Sequence, residues 1–201
     1  MTKLETWEHL RSEIEHKGIY RVPHNRGYIY AKAPNVGYTW QFYLRRCLFD
    51  PKFVLSAAEL LVEKLPDKNI QIAACEDAGV PLGLAMSAVI GVPMLSIKKE
   101  RKAYGLLNFT EGVITDRPLL LVDDLAGSQD TLKKAVNILN AFKLPTADHY
   151  VAMVNKTQGT HKDSYVGAKE LISLFTCEDF ALSWNDYVNK YNREPDFGRF
   201  C

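Results

Sequence analysis

The sequence predicts an α/β fold, with a mostly parallel central sheet flanked by helices and a small N-terminal hood. Two observations carry this prediction. From residue 69 onward, short apolar runs alternate with amphipathic runs at helical spacing, which indicates parallel strands joined by helical crossovers. Residues 19–46 are instead aromatic, interrupted by glycine and partly alternating, as is typical of short strands and loops outside a central sheet.

Each element follows from its own local pattern. The first helix, over residues 2–16, is predicted from an apolar stripe formed by Leu4, Trp7, Leu10 and Ile14. Further helices are predicted over 53–65, 80–90, 131–142 and 180–191. Strands are predicted over 69–74, 93–97, 119–122, 149–154 and 171–176, and a charged loop over 98–117. The apolar stripe of helix 131–142 ends at Phe142, and we assign this stripe to the core.

Size and charge exclude several classes of protein. The 201 residues suit a single domain, with about 1–50 as N-terminal helix and hood and about 51–191 as core. A formal net charge of +1 gives no overall attraction to nucleic acid. Four scattered cysteines, without zinc-site spacing, predict reduced thiols in a cytoplasmic protein. We expect no membrane partner, because the start lacks a signal-peptide apolar region and the uncharged stretch 78–97 is interrupted by glycine and proline.

An acidic pair follows the apolar run 119–122. Asp123 and Asp124 lie where a buried parallel strand would end, just before a predicted helix. Ligands bind at that end of open α/β sheets, and a helix N-terminus favours anions. The acids would therefore hold a polyol or Mg²⁺, and the amides that follow would hold a phosphate. A Walker-B-like element is the competing interpretation, but the chain has no Gly-rich phosphate loop ending in Lys-Ser/Thr, and no G-x-G-x-x-G.

The segment Val122-Asp-Asp-Leu-Ala-Gly-Ser-Gln-Asp-Thr131 resembles the phosphoribosyl-diphosphate (PRPP) motif of type I phosphoribosyltransferases. The resemblance implies that Asp123 and Asp124 hold the ribose hydroxyls and, through PRPP or water, a Mg²⁺ ion. It also implies a 5′-phosphate loop made of Ala126, Gly127, Ser128, Gln129, Asp130 and Thr131. Gln129 and Asp130 stand where the family usually has smaller residues. We therefore expect Gln129 to narrow the approach of the phosphate. Asp130 would add negative charge beside the phosphate site, and its competing role is that of an acid in the first turn of the helix.

The segment Lys98-Lys-Glu-Arg-Lys-Ala-Tyr-Gly105 is strongly basic. A solvated charge run is the competing interpretation. The segment resembles the flexible catalytic loop of orotate phosphoribosyltransferases, which Lys98, Lys99, Lys102 and Tyr104 match position by position. The resemblance implies that Lys102 is catalytic and closes over the diphosphate from the neighbouring subunit of a homodimer. It also implies that the other three residues contact PRPP.

A third segment resembles the diphosphate loop of the family. It consists of Cys75, Glu76, Asp77, Ala78 and Gly79, between a predicted strand and a predicted helix. Amides at this junction can face an anion. The carboxylates of Glu76 and Asp77 would repel diphosphate, so a contact must use the backbone or Mg²⁺. An ordinary strand–helix turn is the competing interpretation.

Two weaker matches concern the base. Tyr43 lies in a hood segment, residues 37–43, that corresponds to a base-side segment of the orotate enzymes. Lys156 lies where the family has the arginine that binds the orotate carboxylate, and a lysine can pair with a carboxylate only as a point charge. We expect the aromatic side chains at Tyr38, Trp40 and Phe42 to belong to the core.

The resemblance as a whole implies a pentosyltransferase of the orotate phosphoribosyltransferase type. The reaction would be Mg²⁺-dependent transfer of ribose 5-phosphate from PRPP to orotate, giving orotidine 5′-monophosphate and diphosphate in pyrimidine nucleotide biosynthesis. Two alternatives stay open: the same chemistry on another nucleobase, and a non-catalytic regulatory protein that binds PRPP or a nucleotide. The altered loop residues Gln129 and Asp130 favour the second alternative.

Overall fold

The computed structural model describes residues 2–22, 29–30, 36–98, 109–127, 129–156, 164–165, 169–182 and 188–190. Within these ranges the helices are α1 (Lys3–Glu13), α2 (Arg45–Leu48), α3 (Pro51–Lys64), α4 (Gly79–Ile90) and α5 (Asp130–Ala141). The strands are β1 (Ile19–Arg21), β2 (Ile29–Tyr30), β3 (Val36–Tyr38), β4 (Trp40–Phe42), β5 (Gln71–Cys75), β6 (Met94–Ile97), β7 (Thr110–Gly112), β8 (Leu119–Ala126), β9 (Thr146–Asn155), β10 (Ser164–Tyr165), β11 (Lys169–Thr176) and β12 (Val188–Lys190). A π-helical turn at Ile14–Gly18 continues α1, and a 3₁₀ turn at Glu178–Phe180 follows β11.

The central sheet has seven strands in the order β10-β11-β9-β8-β5-β6-β7. The strands from β11 to β6 run parallel, and the short β10 and β7 are antiparallel edge strands. The predicted mostly parallel sheet is thus confirmed. The chain passes from β5 outward to β6 and later returns on the other side of β5 as β8. The strand order therefore reverses between β5 and β8, and ligands bind beyond the carboxyl ends of the strands at such a switch point.

Alternate residues of the central strands enter two apolar cores on opposite faces of the sheet. Leu120 and Val122 of β8 pack into a core shared with α3 and α4. Leu119 and Leu121 pack on the other side, against the buried stripe of α5. Burying one such leucine contributes roughly 1.5–3 kcal/mol. The two cores therefore fix the sheet, and the carboxyl ends of its strands, between helical layers.

The helix ends follow recognisable sequence signals. Thr2 caps α1 in a reciprocal pair of hydrogen bonds with Glu5, and Asp50 caps α3, which begins with Pro51. Such caps are worth about 1 kcal/mol each. Gly91 ends α4 in the left-handed conformation, at φ +76°. None of the helices in the described ranges has the length and apolarity that a membrane crossing requires.

Two small antiparallel sheets contain most of the described residues of the predicted hood. β1 pairs with β4, while β3 pairs with both β2 and the late strand β12. Trp40 and Phe42 of β4 are buried, and the Phe42 ring meets the edge of Phe180 at a centroid distance of 5.6 Å. Phe180 in turn contacts the Phe175 ring of β11. The hood strands are thus joined to the same core as one face of the central sheet.

Some sequence-based predictions are wrong. The predicted helix over 180–191 is contradicted at both of its described parts, since residues 180–182 are not α-helical and Val188–Lys190 pairs as β12 with β3. A strand that completes a sheet satisfies its backbone through its partner, and this outweighs weak helical spacing. The predicted loop 98–117 contains an additional strand, Thr110–Gly112. Leu4 and Phe142, both assigned to apolar stripes, are exposed because they lie at helix ends beyond the reach of the core.

Candidate active site

The acidic pair lies inside β8 rather than after it. The strand continues to Ala126, in parallel register with β9, so that Asp123 is opposite Ala152. The Asp123 side chain is 8% exposed, and its Oδ1 accepts a hydrogen bond of 2.9 Å from the Asp124 amide. Asp124 is half-buried. The pair is therefore held by the sheet, with one carboxylate more accessible than the other.

Gly79 brings the start of α4 directly against the end of β8. A Cβ atom at this position would lie 2.7 Å from the Val122 carbonyl oxygen and 3.0 Å from the Asp123 Cα. Only glycine permits this approach without displacing backbone. The two segments that the sequence assigns to diphosphate and ribose thus meet at the switch point of the sheet.

The segment from Cys75 to Gly79 is fixed on its other side by β6. The Glu76 amide donates to the Ile97 carbonyl oxygen at 2.9 Å, and the Ser96 hydroxyl donates to the Glu76 carboxylate at 2.9 Å. The peptide bond between Glu76 and residue 77 is cis. The hydrogen bond from Ser96 therefore orients the Glu76 carboxylate toward β6.

The second charge in this segment has a cation beside it. The Asp77 side chain is 81% exposed, and its Oδ2 lies 4.0 Å from Arg45 Nη2 on α2. Ala78 precedes the first residue of α4 and adopts a helical conformation. Sequence analysis missed Arg45, since nothing in the spacing between α2 and the segment 75–79 links them.

Within the protein, Lys98 pairs with a carboxylate that the sequence analysis did not identify. Its side chain is 5% exposed, and its ammonium contacts the Glu111 carboxylate of β7. Its amide donates to the Phe109 carbonyl oxygen at 2.8 Å. Lys98 and Glu111 thus close the base of the basic segment, and Lys98 also lines a small cavity beside Thr131 of α5. A contact from Lys98 to PRPP stays a prediction.

Four residues of the predicted site lie outside the described residues: Lys99, Lys102, Tyr104 and Ser128. Their predicted roles stay predictions. The described flanks, residues 98 and 109, are held together by the pairing of β6 with β7.

The predicted phosphate loop leads from β8 into α5. A Cβ atom at Gly127 would meet nothing within 4 Å, so this part of the loop is open. Gln129 has a left-handed backbone, at φ +62°, and its side chain is 7% exposed. Its Nε2 donates to the Tyr150 hydroxyl at 3.1 Å. The expected narrowing by Gln129 is therefore wrong, because the side chain is buried against β9, whereas Asp130 is exposed in the first turn of α5 as expected.

Lys156 follows β9 and lies beside the end of β8. Its amide donates to the Ala126 carbonyl oxygen at 2.8 Å. The side chain is 6% exposed, and its Nζ lies 5.5 Å from the Trp40 ring centroid and 5.8 Å from that of Tyr38. Burial lowers the pKa of Lys156 to about 8, and the Cys177 thiol has a smaller, opposite effect. An ammonium in this setting gains from both ring faces and from any anion that reaches it.

Tyr43, the other residue assigned to the base, is half exposed. Its amide donates to the Gly18 carbonyl oxygen at 2.7 Å. The Arg46 guanidinium lies over its ring, 5.6 Å from the centroid. Its contact with a base stays a prediction.

Comparisons with known proteins agree with this architecture. No family model matches the chain. The orotate phosphoribosyltransferase of Caenorhabditis elegans is 28% identical over 158 residues, which cover 75% of this chain and 69% of that protein. The solved phosphoribosyltransferase of Corynebacterium diphtheriae superposes with a TM-score of 0.72 at 16% identity, covering 89% of this chain and 99% of that one.

A third comparison involves a ligand-bound enzyme. The orotate phosphoribosyltransferase of Mycobacterium tuberculosis in complex with PRPP superposes with a TM-score of 0.65 at 14% identity, covering 88% of this chain and 99% of that one. This chain has the type I phosphoribosyltransferase fold. Its sequence is similar to orotate phosphoribosyltransferases, and the resemblance stated from the motifs is confirmed.

Within this phosphoribosyltransferase fold, sequence analysis missed the environment of Lys156. It assigned Tyr38 and Trp40 to the core, and Trp40 is indeed buried. Their rings nevertheless lie within cation–π distance of the ammonium. Alternate positions of an extended segment share a face, and this signal would have paired the two rings.

The described residues offer no preassembled metal cage. Among them, no group of three or more His, Cys, Asp or Glu side chains could hold a metal ion. Mg²⁺ is commonly bound by one or two carboxylates together with substrate phosphates. The adjacent carboxylates of Asp123 and Asp124 fit that second mode of binding.

Proposed function

We propose that this protein is an orotate phosphoribosyltransferase that transfers ribose 5-phosphate from PRPP to orotate and releases diphosphate. The observation that carries the proposal is the approach of Gly79 to Asp123, which joins the diphosphate segment to the acidic pair at the switch point. The sequence similarity to orotate enzymes supports the choice of base. The chain would act as one domain in the cytoplasm, and its buried, reduced cysteines at Cys47, Cys75 and Cys177 support a reducing compartment.

The ribose 5-phosphate part of PRPP would lie over the end of β8. Asp123 and Asp124 would accept hydrogen bonds from the ribose hydroxyls. The open backbone at Gly127 and the amides at the start of α5 would bind the 5′-phosphate, because the N–H groups and the dipole at a helix N-terminus favour anions. Two anchors on one rigid strand–helix unit would fix the position of the ribose C1 atom.

The leaving diphosphate would lie against the start of α4. Negative charge increases on this group as its bond to C1 breaks, so the task of the protein is electrostatic. Backbone amides of residues 76–79, the Arg45 guanidinium and the Lys102 ammonium would stabilise it. Mg²⁺, held by Asp123 and Asp124 together with PRPP, would neutralise part of the same charge.

The base would approach from the side of Lys156. Its ammonium is charged below pH 8 and is desolvated, so a carboxylate on the base would gain strongly from pairing with it. Orotate carries such a carboxylate, whereas unsubstituted pyrimidines and purines do not. Lys156 would therefore select an anionic base.

A second copy of the chain would complete the enzyme. An apolar groove of about 550 Å³ lies beside the start of α4 and includes Phe49, Val80, Pro81 and Leu84. Phe49 is 70% exposed. Exposed apolar patches of this kind mark interaction surfaces. We propose that the groove is buried in a homodimer, which would bring the neighbour's surface close to the diphosphate segment.

Transfer to another base is the second candidate function. The observation that favours it is Lys156 itself, because a lysine lacks the two-pronged guanidinium that the orotate enzymes use for a carboxylate. A non-catalytic binder of PRPP has less support than the sequence alone gave it, since the Gln129 side chain is directed away from the phosphate loop.

The deciding experiment measures diphosphate release from PRPP and Mg²⁺ by the full chain. Orotate is compared with uracil, adenine and hypoxanthine as acceptors. We expect release with orotate and at least 100-fold less with the others. Lys3→Ala, which removes an exposed lysine paired with Glu63, serves as the matched control and should behave as the unmodified protein. Diphosphate release only with a different base would mean that this base, and not orotate, is the acceptor. PRPP binding without diphosphate release would favour the regulatory alternative.

A further inference from the structure

Gln129 occupies an unusual backbone position for its residue type. It immediately precedes α5 and has φ +62° and ψ +13°. Glycine adopts this left-handed region freely, whereas other residues, apart from Asn and Asp, adopt it rarely. The phosphate loops that this segment resembles commonly use glycine here. The chain has retained the conformation without the residue that adopts it most easily, so another interaction must stabilise it.

The side chain of Gln129 supplies that interaction. It is buried, and its Nε2 donates a hydrogen bond of 3.1 Å to the hydroxyl of Tyr150. Tyr150 is fully buried in β9 and belongs to the apolar core beneath α5. Its neighbour in the sheet is Leu121, close to the acidic pair on β8. A buried amide that lost this partner would be left unsatisfied, so the pair is strongly favoured once formed.

The backbone of Gln129 sets the direction of the anion-binding amides. Its carbonyl oxygen accepts the first hydrogen bond of α5, from the Lys133 amide at 2.9 Å. The N–H groups of the first turn therefore take their orientation from this residue. Gly127 on the other side has open space around it. The loop is thus anchored to the sheet at one end and open to a ligand at the other.

We propose that Gln129 is a positioning residue, which through Tyr150 holds the loop in the conformation that binds the 5′-phosphate of PRPP. This inference rests on the proposed function. The hydrogen bond between Gln129 and Tyr150 fixes a loop that glycine would leave flexible. The loop therefore loses less conformational entropy when phosphate binds. The hydrogen bond therefore contributes to affinity for the phosphate end of PRPP and not to the chemical step.

The test measures binding and turnover separately in Tyr150→Phe, Gln129→Gly and Gln129→Ala. Tyr150→Phe removes only the hydroxyl, and Gln129→Gly keeps the backbone freedom while removing the anchor. We expect the Kd for ribose 5-phosphate, measured by calorimetry, to rise about tenfold in Tyr150→Phe and Gln129→Gly. The Kd of Gln129→Ala should rise further, because alanine neither makes the hydrogen bond to Tyr150 nor adopts the left-handed backbone conformation as easily as glycine. The KM for PRPP should rise in parallel, while kcat and the KM for the base stay within twofold.

Tyr20→Phe, at a half-exposed tyrosine of β1, is the matched control and should leave the Kd unchanged. A purely structural role would lower the Tm of the variants but leave their Kd for ribose 5-phosphate within twofold of the unmodified protein, and that result would overturn the inference. If the unmodified protein itself fails to bind ribose 5-phosphate or PRPP, the proposed function fails with it. The two failures are distinguishable because only the second affects the unmodified protein.

Discussion

The two halves of the candidate site are built differently. The half assigned to ribose, phosphate and diphosphate comes from two strand–helix junctions, β5–α4 and β8–α5, which are neighbours in the sheet. The half assigned to the base combines Lys156, after β9, with Tyr38 and Trp40 of the hood. The first half depends on backbone and close approach, and the second on side chains from distant parts of the chain. In the proposed function, the rigid sheet would hold the phosphorylated sugar, and the contact that selects the base would come from elements that can vary independently.

The largest effect should come from removing the charge assigned to the leaving group. In Lys102→Ala we expect kcat to fall by about 10²–10³-fold, as for the loss of one preorganised group that stabilises charge in a transition state. The Kd for PRPP should stay within threefold. Single-turnover kinetics and calorimetry would measure the two quantities. An unchanged kcat would show that Lys102 takes no part in the reaction. The stabilisation of the leaving diphosphate would then have to come from the backbone amides of residues 76–79, Arg45 and Mg²⁺.

A smaller loss is expected when the contact between the two junctions is disturbed. Gly79→Ala places a Cβ atom 2.7 Å from the Val122 carbonyl oxygen, so α4 must shift from β8. We expect kcat/KM for PRPP to fall by about 100-fold, since a displacement of about 1 Å has that effect in active sites. The free energy of unfolding should decrease by about 1–3 kcal/mol.

Gly83→Ala is the matched control for this change. A Cβ atom there would lie 2.6 Å from the Ala74 Cβ of β5. The change therefore creates a steric clash in the same helix, but at a position that does not contact Asp123. Urea unfolding should reveal a similar loss of stability, but the KM for PRPP should stay near that of the unmodified protein. Equal kinetic losses in both variants would mean that helix stability, and not the contact with β8, determines the activity.

The base half should be separable from the first half by pH. Because burial lowers the pKa of Lys156 to about 8, the KM for orotate should rise by about tenfold per pH unit above that value, while the KM for PRPP changes less. Lys156→Arg stays charged and should lose this pH dependence. Steady-state kinetics from pH 6.5 to 9.5 would measure both. A KM for orotate that is flat over this range in the unmodified protein would exclude Lys156 as the carboxylate partner.

The same shift has a defined consequence for stability. Between about pH 8 and 10.5 the unfolded chain binds the Lys156 proton and the folded chain does not, so this group makes stability rise with pH. The Cys177 thiol acts in the opposite sense. Burial raises its pKa from 9 to about 11, so its contribution is lost as the pH rises through that range.

The sequence predicted the strand–helix junctions better than the contacts between residues that are distant in sequence. The apolar run into Asp123 and Asp124, and the strand–helix alternation around it, are local patterns, and they predicted the sheet correctly, with the acidic pair toward the carboxyl end of its strand. The partner of Lys98 was missed because Glu111 lies across a strand pair that charge spacing does not indicate. The direction of Gln129 was wrong because it depends on Tyr150, which is distant in sequence. Local signals specify elements, whereas partners from distant strands emerge only once the elements are packed.

The pairing of β12 with β3 has a consequence for the order of folding. Residues 71–141 contain both junctions of the first half, so their contacts can form as soon as that stretch has left the ribosome. Tyr38 belongs to β3, which pairs on one side with Val188–Lys190, about 150 residues later in the sequence. Contacts of such high sequence separation form slowly. The protein would therefore acquire its fit for the phosphorylated sugar first, and its discrimination among bases only after residues 188–190 have been synthesised.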